Sequence, residues 1–312
     1  MRAKHIPIAI LAGPTGIGKT GFAVKLAHRW NTEIISADSM QVYKQLTIGT
    51  AKPRPGELEG IPYHLIDHVD IRDRYDLARF IREADEIIGR LRSQGKRPLV
   101  VGGTGLYIKG LLEGIFETDS KDMKIRETLQ SRVIAEGLES LYEELKSVDP
   151  RASARIKPGD RQRIVRALEV FYTTGAPIST HQKESQRSSP RYKHMLVVMF
   201  RERQELYERI ETRVDRMFTE GLVGEVEGLL DAGFSPDLHP LKALGYREVM
   251  RYLEGRWSLE RARSEMKKAT RRFAKRQLTW FRAVPEARWL NISRMPGEEV
   301  LVHLDEIFTG EK

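Results

Sequence analysis

The sequence predicts a three-layer α/β protein with a parallel sheet, interrupted by a mostly helical insertion domain and closed by a helical C-terminal region. Three observations carry this. Short apolar runs alternate with helical patterns over the first hundred residues, as strands buried on both faces of a parallel sheet do. Strand signals then stop, and three helical stretches follow one another before an apolar run returns at residues 195–200. The 312 residues suffice for a sizeable core without covalent staples.

Residues 6–12 are apolar throughout and read as the first strand. A helix follows over 19–30, with Phe22, Ala23, Leu26, Ala27 and Trp30 at helical spacing. Residues 33–37 form a second strand. After a Pro- and Gly-rich stretch (53–62) comes a weaker one at 63–66. Leu77, Phe80, Ile81, Ala84, Ile87, Ile88 and Leu91 make one stripe of a helix over 76–91, with Gly95 beyond its end. Residues 98–101 are another buried strand, and a helix starts at Gly105. Helices are expected over 121–137, 138–148 and 159–173, then a polar loop over 182–193. Further helices fall at 204–220, 223–232, 245–254 and 259–282. The expected division is a core of 1–116 with 195–312, and an insertion of 117–194.

Lys and Arg number 53 against 44 Asp and Glu, a net charge of +9, and cysteine is absent. No disulfide, thiolate zinc site or catalytic thiol is available, so a reducing cytoplasm is the expected location. The apolar run at 6–12 is far shorter than the roughly 20 residues of a membrane span, so no membrane partner is expected. A monomer is expected.

The sharpest local signal is Gly13-Pro14-Thr15-Gly16-Ile17-Gly18-Lys19-Thr20. It matches the nucleotide-binding P-loop pattern and lies between a strand and a helix, as that pattern requires. Its glycines let amides turn towards phosphate oxygens at a helix N-terminus. Lys19 neutralises phosphate charge, and the Thr20 hydroxyl is the candidate ligand for Mg²⁺. Asp38 follows the second strand, at the sheet end where α/β folds bind ligands. It is suited to hold Mg²⁺ through water, to act as general base, or to cap the following turn. The strand at 99–101 leads into Gly102-Gly103-Thr104 instead of the carboxylate of a motor ATPase. Arg209 and Arg213, four apart on one helix, are alternative arginines for a diphosphate.

The charge is clustered. Residues 261–282 hold nine Lys and Arg and one acid, Glu265, while Leu259, Ala262, Met266, Ala269 and Phe273 are expected on the packed face. A second cluster is Arg151, Arg155, Lys157, Arg161, Arg163 and Arg166. Both suit a phosphate backbone. His64 and His68 straddle a strand end and lack a third metal ligand nearby.

Together, Gly13–Thr20, the Asp38-Ser39-Met40-Gln41-Val42-Tyr43 segment with Ile48-Gly49-Thr50-Ala51-Lys52-Pro53, and Gly102-Gly103-Thr104-Gly105-Leu106-Tyr107 resemble the bacterial tRNA dimethylallyltransferases. The resemblance continues through residues 160–169, 206–213, 244–248 and 274–280. It implies a P-loop NTPase-like core and transfer of a dimethylallyl group from dimethylallyl diphosphate to N6 of adenosine 37 of tRNA, with Mg²⁺ as cofactor. The P-loop then cradles the diphosphate leaving group. By resemblance Asp38 is the general base, Thr104 borders the channel where adenine and diphosphate meet, and Arg213 is preferred over Arg209. The tRNA-contacting positions implied are Asp38, Ser39, Met40, Gln41, Thr104, Arg126, Gln162, Arg163, Ile164, Val165, Arg166, Lys275 and Arg276. Ser39 and Gln41 are candidates to read the base edge. Tyr43, Trp280 and Phe281 are candidates to stack, with core packing favoured for the last two. The rival functions are a P-loop nucleoside or nucleotide kinase, a prenyltransferase of free adenine nucleotides, and a non-enzymatic RNA-binding P-loop protein.

Overall fold

The structure, a computed structural model, describes residues 6–115, 123–187 and 190–310. The chain divides into two compact units, residues 1–111 with 192–312, and residues 112–191.

The first unit is built on β1 (Ile8–Ala12), α1 (Lys19–Arg29), β2 (Ile34–Ala37), β3 (Tyr63–His64), α2 (Leu77–Ser93), β4 (Leu99–Gly102) and α3 (Gly105–Glu113). Every residue of β1, β2 and β4 is buried, so their continuous apolar runs are what a doubly covered sheet demands. Asp76 caps α2 by accepting from Arg79 N at 3.0 Å. Phe80, Ile81, Ala84, Ile88 and Leu91 form its buried stripe.

The second unit contains α4 (Met123–Ala135), α5 (Leu138–Val148), α6 (Pro150–Ser153), α7 (Arg161–Thr174) and α8 (Ile178–Arg187). Leu129, Leu141, Leu145, Ile164, Val165 and Leu168 lie in its own core. Asp149 and Asp160 cap α6 and α7 through the amides of Ala152 and Arg163. Residues 178–187 correct the loop expected over 182–193. They are polar but rich in good helix formers, and Ile178, their one apolar residue, packs on the core. Of that expected loop, residues 188 and 189 lie outside the described residues, as do 121 and 122 of the expected helix at 121–137.

The chain returns to the first unit with β5 (His194–Phe200), α9 (Arg203–Thr219), α10 (Leu222–Asp231), α11 (Tyr246–Leu253), α12 (Leu259–Arg282), β6 (Arg288–Asn291) and α13 (Gly297–Thr309). The elements β6 and α13 were not among those expected. Only Leu290 of β6 is buried, so this short edge strand shows no apolar run. In α13, however, Val300, Leu301, Leu304 and Phe308 recur at helical spacing and are buried. No helix among the described residues is long and apolar enough to cross a membrane.

The six strands form one sheet in the order β3-β2-β4-β1-β5-β6, and every pairing is parallel. The register places Ala12 and Ala37 on either side of Gly102. The chain segments after β1, β2 and β4 therefore leave the sheet side by side at its carboxyl edge, where open α/β sheets bind ligands.

Candidate active site

These three segments are Gly13–Thr20, Asp38–Tyr43 and Gly103–Tyr107. In the first, Gly13, Gly16 and Gly18 have φ of 147°, 81° and 98°, a region that side chains disfavour. A Cβ on Gly13 would lie 2.6 Å from the Met199 carbonyl oxygen of β5, so the loop starts flat against its neighbouring strand. Helix α9 crosses the loop: Arg209 Nε donates to Gly16 O at 3.0 Å, and Ile210 stands 3.0 Å from where a Gly16 Cβ would be. Lys19 Nζ donates to the carbonyls of Gly13 (2.8 Å) and Pro14 (2.9 Å).

In the second segment, Asp38 Oδ1 accepts from the amides of Met40 (2.9 Å) and Gln41 (3.2 Å). One oxygen thus fixes the turn and the carboxylate plane, while Oδ2 is left for a ligand. Capping and chemistry are compatible in one side chain. Gln41 Nε2 donates to the carbonyls of Thr50 and Ala51, each at 3.1 Å, which leaves its Oε1 as the free acceptor. The third segment joins the second through Ser39 N, which donates to Thr104 Oγ1 at 3.3 Å. Thr104 O also accepts from Tyr107 N (2.9 Å) and Ile108 N (3.3 Å) at the start of α3.

Charge converges here. Burial pushes the Lys19 ammonium down to about 7, with Asp38 pulling the other way and Arg213 adding to the fall. Burial likewise lowers the Arg213 guanidinium to about 10, again opposed by Asp38. Two cations thus share one carboxylate, which is an arrangement short of anionic charge. Arg213 Nη2 also reaches Thr50 O at 3.5 Å. Between the two arginines that the sequence left open, Arg213 is coupled to Lys19 and Asp38, whereas Arg209 holds the P-loop backbone. Tyr63 is an additional neighbour with no prior role. Burial, with the Asp38 charge nearby, raises its pKa.

The loop after Asp38 is held from behind. The Glu225 carboxylate of α10 accepts from the amides of Thr47 (3.2 Å), Ile48 (2.7 Å) and Gly49 (3.2 Å) and from the Tyr246 hydroxyl (2.5 Å). Neither Glu225 nor Tyr246 was singled out as its support. Tyr43, a candidate stacking residue, is 2% exposed and belongs to the core. His64 and His68 contact different carboxylates, Glu33 at 2.7 Å and Glu83 at 3.0 Å.

Helix α12 buries Ala262, Met266, Thr270, Ala274, Gln277 and Phe281. This corrects the expected packed face, since Phe273 is 38% exposed and lies under Arg276 at 5.7 Å. The helix turns about 100° per residue, so the row drifts along it and takes in Gln277 instead. Lys267 and Lys268 pair with Asp215 and Glu265 at 2.7 and 2.8 Å, and Arg271 pairs with Glu211. Lys275 and Arg276 are exposed and form no ion pair among the described residues. In the second unit, Gln162 and Arg163 are exposed and Arg166 and Arg126 half-buried. Ile164 and Val165, 0% and 4% exposed, are core residues. Of the positions expected to contact tRNA, these two keep their side chains in the core of their unit.

The profile described as IPP transferase matches residues 41–284, more than half the chain, and that described as isopentenyl transferase matches residues 6–74. The chain belongs to the IPP transferase family. Its curated relatives include the tRNA dimethylallyltransferases of Syntrophobacter fumaroxidans, 47% identical over 94% of this chain and 85% of the relative, and of Geobacter sulfurreducens, 48% identical over 91% of each. Among solved structures, a full-length tRNA isopentenylpyrophosphate transferase from Bacillus halodurans matches with a TM-score of 0.73 at 36% identity, over 98% of this chain and 96% of that one. A eukaryotic dimethylallyltransferase acting on tRNA matches with a TM-score of 0.85 at 27% identity, over 98% and 80%. The fold is that of the P-loop NTPase-like IPP transferases. Family membership over nine-tenths of the chain displaces the kinase and non-enzymatic readings.

Proposed function

We propose that this IPP transferase family member transfers a dimethylallyl group from dimethylallyl diphosphate to N6 of adenosine 37 in tRNA. The observation that carries the reading is the convergence of Lys19, Arg213 and Asp38 where three strand ends meet. The P-loop amides, Lys19 and Arg213 bind the diphosphate and stabilise the charge that grows on it as the allylic C–O bond breaks. The adenine amino group forms the new C–N bond and gives its proton to Asp38 Oδ2. Diphosphate leaves with the electron pair of the broken bond. Thr104 and Ser39, joined by their hydrogen bond, border the base beside Asp38, and Gln41 Oε1 offers an acceptor to its edge.

The donor set suits a hard cation, with the Thr20 hydroxyl as ligand and Asp38 nearby to bind through water. Mg²⁺ held there would neutralise diphosphate charge.

Lys275 and Arg276 on α12, which form no ion pair among the described residues, supply cationic surface for an RNA backbone, and Gln162, Arg163 and Arg166 on α7 of the other unit supply their own. That surface favours tRNA over free adenine nucleotides. The stacked base must leave its loop to reach Asp38. The test is incubation of an anticodon stem-loop with dimethylallyl diphosphate and Mg²⁺, read by mass. A dimethylallyl gain on adenosine 37 supports the reading. Gain on free AMP but none on RNA would overturn it in favour of a free-nucleotide prenyltransferase.

A further inference from the structure

The buried row of α12 carries one amide, Gln277, only 8% exposed. A buried amide needs partners, and Gln277 finds both inside the site. Its Oε1 accepts from Thr15 N at 2.9 Å, in the middle of the P-loop. Its Nε2 donates to Gly103 O at 2.9 Å, one residue before Thr104. The fit leaves no slack: a Cβ on Gly103 would lie 2.3 Å from Gln277 Nε2 and 3.1 Å from Gly13 O. On the neighbouring turn, a Cβ on Gly105 would meet Trp280 at 2.3 Å. Helix α12 is therefore seated directly on the turn that presents Thr104.

We propose that Gln277 is a positioning residue that sets the distance between the diphosphate cradle and the Thr104 turn, and so between leaving group and nucleophile. The inference rests on the prenyl-transfer reading. Its basis is that one side chain, fixed at both ends, bridges the two loops that the reaction must keep in register. Misplacement of reacting groups by about 1 Å is enough to cost about 10²-fold in rate. The same helix carries Lys275 and Arg276 on its exposed face, so the element that offers cations to RNA also braces the donor site.

The test separates the two hydrogen bonds. Inorganic diphosphate with Mg²⁺ is titrated by calorimetry against the full chain and against Gln277→Ala and Gln277→Glu. Turnover, tRNA affinity and Tm are measured in parallel. Gln277→Ala loses both bonds, and both diphosphate affinity and kcat should fall about tenfold while tRNA affinity stays within about twofold. Gln277→Glu keeps the acceptor for Thr15 N and loses the donor to Gly103 O. It should lose about tenfold in kcat, with diphosphate affinity also lowered by the negative charge added beside the P-loop. Should Gln277→Ala fail to fold, Gln277→Glu decides. Wild-type diphosphate affinity and kcat in both variants overturns the proposal. So does a kcat loss that merely follows the folded fraction, or a defect confined to tRNA affinity. A wild-type chain that binds diphosphate but prenylates no RNA would sink the functional reading instead, and the diphosphate titration would still judge the strut.

Discussion

Glu225 gives the most quantitative prediction. Its carboxylate accepts four hydrogen bonds, from three successive amides and the Tyr246 hydroxyl. In Glu225→Ala the Thr47 amide is exposed and turns to water, but the Ile48 and Gly49 amides and the Tyr246 hydroxyl are partly buried. Each stranded donor costs about 1–2 kcal/mol, so the loss should be about 3–6 kcal/mol. Tyr246→Phe removes only the hydroxyl and should cost about 1–2 kcal/mol. The double variant should then be less destabilised than the sum, by about 1–2 kcal/mol of coupling. Urea unfolding of all four proteins measures this. The damage should also reach the site, because residues 47–51 supply the carbonyls that orient Gln41 and meet Arg213. A Glu225→Ala loss below about 1 kcal/mol, or strictly additive variants, would refute the account of a carboxylate shared by four donors.

Asp38→Asn retains an oxygen for the Met40 and Gln41 amides, so it should bind tRNA and donor normally while turnover falls about 10²–10⁴-fold; single-turnover kinetics decide, and a rate within tenfold of wild type would remove Asp38 as the base. Glu33, held down to about 2 chiefly by its bond to Arg90 with help from His64 and Lys96 against burial, binds fewer protons folded than unfolded at acid pH. Its contribution, about 1–2 kcal/mol after allowing for the half-exposed Arg90, is present above pH 4.5 and lost as pH falls through about 2. The stability gap between wild type and Glu33→Gln should therefore close between pH 4.5 and 2, and a constant gap contradicts it. Affinity for tRNA should fall steeply with salt, and replacing Lys275 and Arg276 with alanine should flatten the log–log slope by about 1 each; an unchanged slope places the RNA elsewhere.

The strands and most helices were legible because sheet burial writes itself as apolar runs and helix burial as periodic stripes. Edge strand β6 was not legible, since burying only Leu290 leaves no pattern. At the site, the P-loop and Asp38 could be read from residue types at strand ends, but the choice between Arg209 and Arg213 could not. That choice depends on which turn of α9 faces the loop. Gln277 left a trace: an amide on an otherwise largely apolar buried row signals partners, though not which ones. The Glu225 and Tyr246 bracket left none, because Glu225 takes backbone amides far away in the chain and Tyr246 reaches only Glu225.

The strand order has a consequence for how the chain is made. The central strand β1 is synthesised first, yet its partners β4 and β5 lie at 99–102 and 194–198. At about 5–20 residues per second, about 10–40 s pass before β5 emerges. Meanwhile one of the most apolar segments waits first for β4 and then, with one edge still open, for β5, and such long-range pairing is intrinsically slow. Gly13 rests on the carbonyl of Met199, so the phosphate loop cannot take its shape until that strand arrives. A nascent chain that stops between Thr20 and β5 holds every residue of the loop but lacks the strand on which Gly13 rests.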